Sequence, residues 1–118
     1  MRDYKKYDVW HKAHEVRLFI YRNVIIHFSK SEQFDLSSQT KRSAYSILLS
    51  IVEGCGRNTD KDFVHFLDIA LDSAHELEYC ILLAKDLSYV PEEISNKAFE
   101  SVNEIKAKLI NLIKLIRQ

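Results

Sequence analysis

Apolar residues recur every three or four positions through four long stretches of this chain, and only short polar segments separate the stretches. This spacing is typical of amphipathic helices and predicts helices at about 8–28, 36–55, 60–87 and 91–117. Short connections between long helices favour antiparallel neighbours. The predicted fold is therefore all-α, a single domain over residues 1–118 that forms an antiparallel up-down-up-down four-helix bundle.

The predicted helix ends coincide with residues that commonly start or stop helices. Thr59 and Asp62 resemble a capping box at the start of the third helix. Pro91 suits the first turn of the fourth helix, because the amide that proline lacks would have no partner there. Asp35, Ser37 and Ser38 can cap the second helix, which ends around Gly54-Cys55-Gly56, where glycine supplies backbone freedom. The third helix carries a heptad seam suited to bundle packing: Phe63, Leu67, Ala70, Ala74, Leu77, Ile81 and Ala84.

The second helix has no charged residue between Arg42 and Glu53. A helix with so little charge is expected to be buried on most sides. Since a short chain has few ways to surround one of its own helices, we expect this protein to self-associate. A stripe of small residues along the same helix is the predicted close-packing face of the oligomer: Ser43, Ser46, Ser50 and Gly54.

The few charges on and beside this helix are expected to be compensated, since a buried charge without a partner is costly. We therefore predict structural ion pairs for Arg42 and Glu53, with Glu76 or Glu78 as partners of Arg42. Two interpretations remain open for the acidic residues of the third helix. They form either a solvated face or a face between subunits that pairs with cations of another chain: Asp68, Asp72 and Glu76.

The overall charge gives no general attraction to nucleic acid or to an anionic membrane, because 17 basic residues balance 17 acidic ones. A small set of cations remains as candidate contacts for RNA phosphate or for a protein partner: Lys5, Lys6, Lys41 and Arg57. No aromatic platform alternates with these four residues in the sequence. Any RNA binding is therefore expected to be weak and strongly dependent on salt.

The sequence lacks the patterns of common catalytic and metal sites. Two Asp-x-x-His pairs, Asp62/His65 and Asp72/His75, lie on one helix, whereas a di-iron site needs such pairs on two facing helices. We expect no metal, no cofactor and no enzymatic activity. The two cysteines have no zinc-type spacing and are expected to be reduced in the cytoplasm, and neither a signal peptide nor a membrane span is predicted.

Several motifs resemble the bacterial four-helix-bundle family that includes proteins encoded in intervening sequences of 23S rRNA genes. The family is related to the accessory protein of diversity-generating retroelements. The resemblance runs from about Tyr4 to Tyr89 and rests on these segments: Tyr7-x-Val9-Trp10-x-x-Ala13 with Ile20-Tyr21; Phe34-x-Leu36-x-x-Gln39-x-x-Arg42-x-Ala44-x-Ser46-Ile47; Ile51-Val52-Glu53-Gly54-x-x-Arg57; Phe63-x-x-Phe66-Leu67-x-Ile69-Ala70; and Glu76-Leu77-Glu78.

This resemblance implies a closed ring of bundles, usually a homopentamer, and an association with ribosomal RNA. Together with the residues, it gives the leading hypothesis of a non-enzymatic oligomeric scaffold whose partner is RNA or an RNA-bound protein. The alternative is a protein-interaction scaffold without a nucleic-acid role. A basic surface on the assembled protein would favour the first hypothesis, and a neutral surface with an exposed apolar patch would favour the second.

Overall fold

The computed structural model describes residues 1–32 and 35–118, and four α-helices form most of this part of the chain. They are α1 (Asp8–Phe19), α2 (Leu36–Cys55), α3 (Asp60–Asp86) and α4 (Glu92–Arg117). The predicted bounds of the last three helices are confirmed to within one residue at each end. Two residues of the predicted break before α2, Gln33 and Phe34, lie outside the described residues, so that part of the Phe34–Ile47 motif has no structural description.

The first predicted helix is not a regular α-helix along its whole length. Beyond Phe19 it continues as a wider π-helical turn (Ile20–Val24) and then a 3-10 turn (Ile25–His27). The Ile25 amide donates to the Ile20 carbonyl, which closes the wider turn. Ile20 and Val24 both stay in the core, so the apolar pattern that predicted a helix here is satisfied by either kind of turn.

The ends of the helices agree with most of the predicted signals. The Thr59 hydroxyl accepts a hydrogen bond from the Asp62 amide at 3.1 Å, which caps α3. Pro91 stands just before α4, which begins at Glu92. Asp35 precedes α2, but its side chain makes no capping hydrogen bond. Gly56 has a φ of −81° after the last residue of α2, so this helix ends without needing the special backbone freedom of glycine.

Each helix packs against its neighbours in sequence, and α4 packs against α1. The largest fully buried side chains fill the space among the helices and include Ile20, Ile47, Ile51, Phe63, Leu67, Leu77, Ile81, Ile105 and Leu109. Polar contacts join the helices in a regular order: Ser46 with Ser73 between α2 and α3; Glu78 with Lys106 and Asp68 with Arg117 between α3 and α4; Asp8 with Lys108 and Lys12 with Glu104 between α1 and α4. Within the described residues, no helix is long and apolar enough to cross a membrane.

Candidate nucleic-acid interface

The four predicted contact residues lie in two separate places. Lys5 and Lys6 are exposed in a 3-10 turn (Tyr4–Lys6) that the Asp3 carboxylate caps. Arg57 follows the end of α2 and is also exposed. Lys41 lies in the second turn of α2, roughly 24 Å from Arg57 along the axis of that helix. One compact site formed by all four cations is therefore ruled out.

The cations near the end of α2 already have protein partners. The Arg57 guanidinium lies 4.6 Å from the centre of the Phe66 ring. Arg2, which the sequence analysis did not single out, lies 4.3 Å above the Phe63 ring, donates to the Arg57 carbonyl at 3.1 Å and pairs with Asp60. Because a carboxylate is part of this group, the end of the bundle is an area of mixed charge and a poor phosphate site.

The other cation, Lys41, belongs to a cluster of basic and aromatic side chains on the outer surface between α1 and α2. The Arg17 guanidinium lies 4.1 Å from the centre of the Tyr45 ring and 5.5 Å from the centre of the Tyr21 ring. The Lys41 ammonium lies 5.9 Å from the Tyr21 ring. These four residues are called the cation–aromatic face below. Both tyrosines are about two-fifths exposed, at 40% for Tyr21 and 42% for Tyr45.

Helix geometry explains how the sequence builds this face. Arg17 and Tyr21 are four residues apart, as are Lys41 and Tyr45, and residues at this spacing are neighbours on a helix surface. Packing of α1 against α2 then brings the two pairs together. No aromatic platform alternates with the predicted cations in the sequence, but the packing of the helices places aromatic rings beside Arg17 and Lys41. The i,i+4 spacing within each pair is visible in the sequence. The contact between the two pairs depends on the register in which the helices pack.

The surroundings of the cation–aromatic face carry little negative charge. The carboxylates of α1 point to the opposite side, where Asp8 pairs with Lys108 and Glu15 lies 3.8 Å from Lys12. The only acidic residue of α2 is Glu53, about two turns beyond Tyr45. Arg42 is exposed on the outer side of the same helix and adds to the positive charge. The α1–α2 surface can therefore attract an anion that also presents flat apolar rings.

Within the described residues of the single chain, the predicted ion pairs of Arg42 and Glu53 are not formed. Arg42, Glu53 and Glu76 are exposed and form no ion pair within the described residues. Glu78 does form one, but with Lys106 of α4 at 2.8 Å and not with Arg42. The physical reason is that α2 turns one side toward solvent, so its charges stay hydrated and need no protein partner.

The stripe of small residues lies inside the chain, between α2 and α3. The Ser46 and Ser73 hydroxyls are 2.8 Å apart, Ser43 donates to the Gln39 carbonyl at 3.0 Å, and Ser50 and Gly54 are buried. The stripe is a close-packing face, but its partner is the chain's own α3 and not a second copy, as had been predicted. Small side chains let the two helix axes approach each other within the bundle.

The described residues contain no group of three or more histidine, cysteine or acidic side chains placed to hold a metal ion. His65 and His75 are exposed on α3, and the His65 ring packs against Phe66 at 5.5 Å. Nothing in this arrangement brings the two predicted Asp-x-x-His pairs to a common centre.

Both cysteines are free and buried, and burial raises the pKa of each thiol. A buried thiol with a raised pKa forms little thiolate and reacts slowly. We expect Ellman's reagent to modify Cys55 and Cys80 much more slowly in the folded protein near neutral pH than in denaturant. Rapid modification of one thiol per folded chain would contradict this expectation and would indicate an accessible, activated cysteine.

Comparison with known proteins identifies a protein family and a similar solved structure. The family model described as 23S rRNA-intervening sequence protein matches residues 5–111. A crystal structure from Bacteroides thetaiotaomicron, described as a protein with unknown function from the S23 ribosomal protein family, superposes with a TM-score of 0.82. It is 30% identical in sequence and covers 90% of this chain and 98% of its own. No curated protein matches.

Proposed function

The chain belongs to the 23S rRNA-intervening sequence protein family, and from that premise we propose that it is a non-enzymatic scaffold that associates with structured RNA. In this proposal the four helices run up, down, up and down, and copies of the bundle assemble into a closed ring, most simply a pentamer. The single observation that carries the RNA part is the cation–aromatic face on α1, the π-helical turn that follows it and α2. The family description supplies the class of nucleic acid.

The pairing of residues between helices supports the antiparallel topology. Asp68, early in α3, meets Arg117 at the end of α4, whereas Glu78, later in α3, meets Lys106, earlier in α4. The same reversed order holds between α1 and α4, where Asp8 meets Lys108 and Lys12 meets Glu104. In each case the residue numbers rise along one helix while those of their ion-pair partners fall along the other. Two helices paired in this way are antiparallel, as an up-down-up-down bundle requires.

Exposed apolar side chains away from the cation–aromatic face support self-association. Three apolar side chains near the C-terminal end of α3 are exposed: Tyr79, Leu82 and Leu87. An open groove of about 600 Å³ lies beside them and is lined partly by Leu36 and Leu83. Contiguous apolar surface of this kind is typical of contacts between proteins. The alternative function, a protein-interaction scaffold without a nucleic-acid role, would use the same surface for a different partner.

Light scattering coupled to size exclusion at micromolar protein tests the assembly. We expect a mass several times the chain mass of 13.9 kDa, and five times that mass for the pentamer. A single species at 13.9 kDa would contradict the ring and would remove the multivalency that repeated RNA contacts need.

Fluorescence anisotropy with a labelled, structured rRNA fragment tests the RNA part. We expect binding that weakens steeply between about 50 and 200 mM salt, because each phosphate contact releases counterions. The double variant Arg17→Gln/Lys41→Gln should bind more weakly and reduce the salt slope by about 1–2. Lys97→Gln is the matched control, since Lys97 is an exposed lysine of α4 that lies 3.9 Å from Glu93. Absence of binding at low salt would favour the protein-interaction scaffold.

A further inference from the structure

The cation–aromatic face places one guanidinium between two exposed rings. Arg17 lies within 5.5 Å of both ring centres, and Lys41 approaches the Tyr21 ring from α2. Phosphate binding alone would need only the cations. Two tyrosines beside them add flat apolar surface that a phosphate cannot use.

The surroundings of the Tyr21 and Tyr45 rings differ from those of Tyr79, another exposed tyrosine. Tyr79 on α3 is more exposed, at 62%, yet none of the described cations lies over its ring. Trp10 and His14 lie two turns and one turn before Arg17 on α1, and their rings stack in parallel with centres 5.3 Å apart. The α1–α2 side of the bundle therefore combines cations with the exposed rings of Tyr21 and Tyr45.

The two forms of RNA offer different surfaces to such a face. In a duplex the bases are stacked on each other inside the helix, and the major groove is too deep and narrow for side chains to read. A protein then contacts mostly phosphates and 2′-hydroxyl groups. In a loop, bulge or single strand the bases can turn outward and stack on tyrosine rings or on the plane of an arginine.

We propose that the cation–aromatic face binds unpaired nucleotides of RNA, a conclusion that rests on the RNA association proposed above. Bases stack on Tyr45 and Tyr21, while Arg17 and Lys41 neutralise the neighbouring phosphates. Arg42, exposed one turn before Tyr45, lies where it can contact the next phosphate along the strand. Recognition is tolerant of sequence, because every base has a flat face that a ring can cover.

The experiment compares two RNAs with the same sequence, a labelled single strand and its blunt duplex, by anisotropy at fixed low salt. We expect the full-length protein to bind the single strand more tightly. Tyr45→Leu should weaken single-strand binding about 5- to 100-fold and leave duplex binding unchanged. Tyr45→Phe keeps the ring and should bind like the wild type. Tyr79→Leu is the matched control, because it removes an exposed tyrosine from α3.

The outcomes separate this inference from the function on which it rests. Equal affinity for the two RNAs, or unchanged single-strand binding by Tyr45→Leu and Tyr21→Leu, would overturn the stacking proposal and leave RNA association intact. No binding to either RNA would overturn both. If the Tyr45→Leu protein melts like the wild type but forms an oligomer of lower mass, the face is a contact between copies. That result also overturns the proposal.

Discussion

Replacing Phe63 with alanine should lower the free energy of unfolding by about 3–5 kcal/mol. Phe63 lies in the first turn of α3 and is 1% exposed. One face of its ring receives the Arg2 guanidinium at 4.3 Å, and the Tyr7 ring meets it edge-on at 5.7 Å. Alanine would remove the ring and both contacts, and the rigid helices around it could close the resulting cavity only in part.

Urea denaturation at one fixed protein concentration measures this loss, since the stability of an oligomer depends on concentration. Phe63→Leu keeps most of the buried volume and should cost clearly less. Phe66→Ala is the matched control, because Phe66 is a half-buried phenylalanine of the same helix whose ring lies under Arg57. A loss below about 1 kcal/mol for Phe63→Ala would show that this end of the bundle is loosely packed.

The second, third and fourth helices could be predicted from the sequence because local signals agree with each other. Thr59 and Asp62 fix the start of α3, and Pro91 precedes the start of α4. Heptad spacing then specifies which side of α3 is buried. These signals act within a few residues, so no knowledge of the tertiary structure is needed.

The first helix and the outer side of α2 could not be predicted in the same way. Apolar periodicity over a few residues does not distinguish an α-helical turn from the wider turn at Ile20–Val24. The low charge of α2 suggested burial on most sides, but Tyr45 and Leu49 are exposed on its outer side. Neutral polar and apolar residues can face solvent, so a lack of charge is weak evidence of burial.

The candidate interface could be predicted only in part. Lys41 was identified as a candidate contact, and it lies half-buried on α2. Arg17, Tyr21 and Tyr45 were missed because each i,i+4 pair is unremarkable alone. They become a cluster only when α1 and α2 pack in a register that brings Arg17 beside Tyr45. Contacts of this kind depend on tertiary packing, which local sequence patterns do not reveal.

Replacing Gly54 with valine should lower the free energy of unfolding by about 1–3 kcal/mol through overpacking. A Cβ at this position of α2 would lie 3.0 Å from Phe63 Cδ1, 3.0 Å from Phe66 Cβ and 3.3 Å from the Phe63 carbonyl oxygen. Two of these three atoms are backbone or directly attached to it, so they cannot move aside without shifting α3. Any substituent at Gly54 therefore pushes apart the two helices whose close approach the small-residue stripe permits.

Gly56→Ala provides the matched control two residues later on the same chain. Its Cβ would meet only the Glu53 and Val52 carbonyl oxygens, at 3.4 and 3.9 Å, and its φ of −81° suits any residue. That variant should be neutral or stabilised by about 0.4–1 kcal/mol, because alanine restricts the unfolded chain. Thermal unfolding of both variants compares the two effects. Gly54→Val should melt below the wild type although valine has a higher helix propensity than glycine. An unchanged melting temperature would mean that α2 and α3 separate at little cost, and the close-packed contact between them would not be a source of stability.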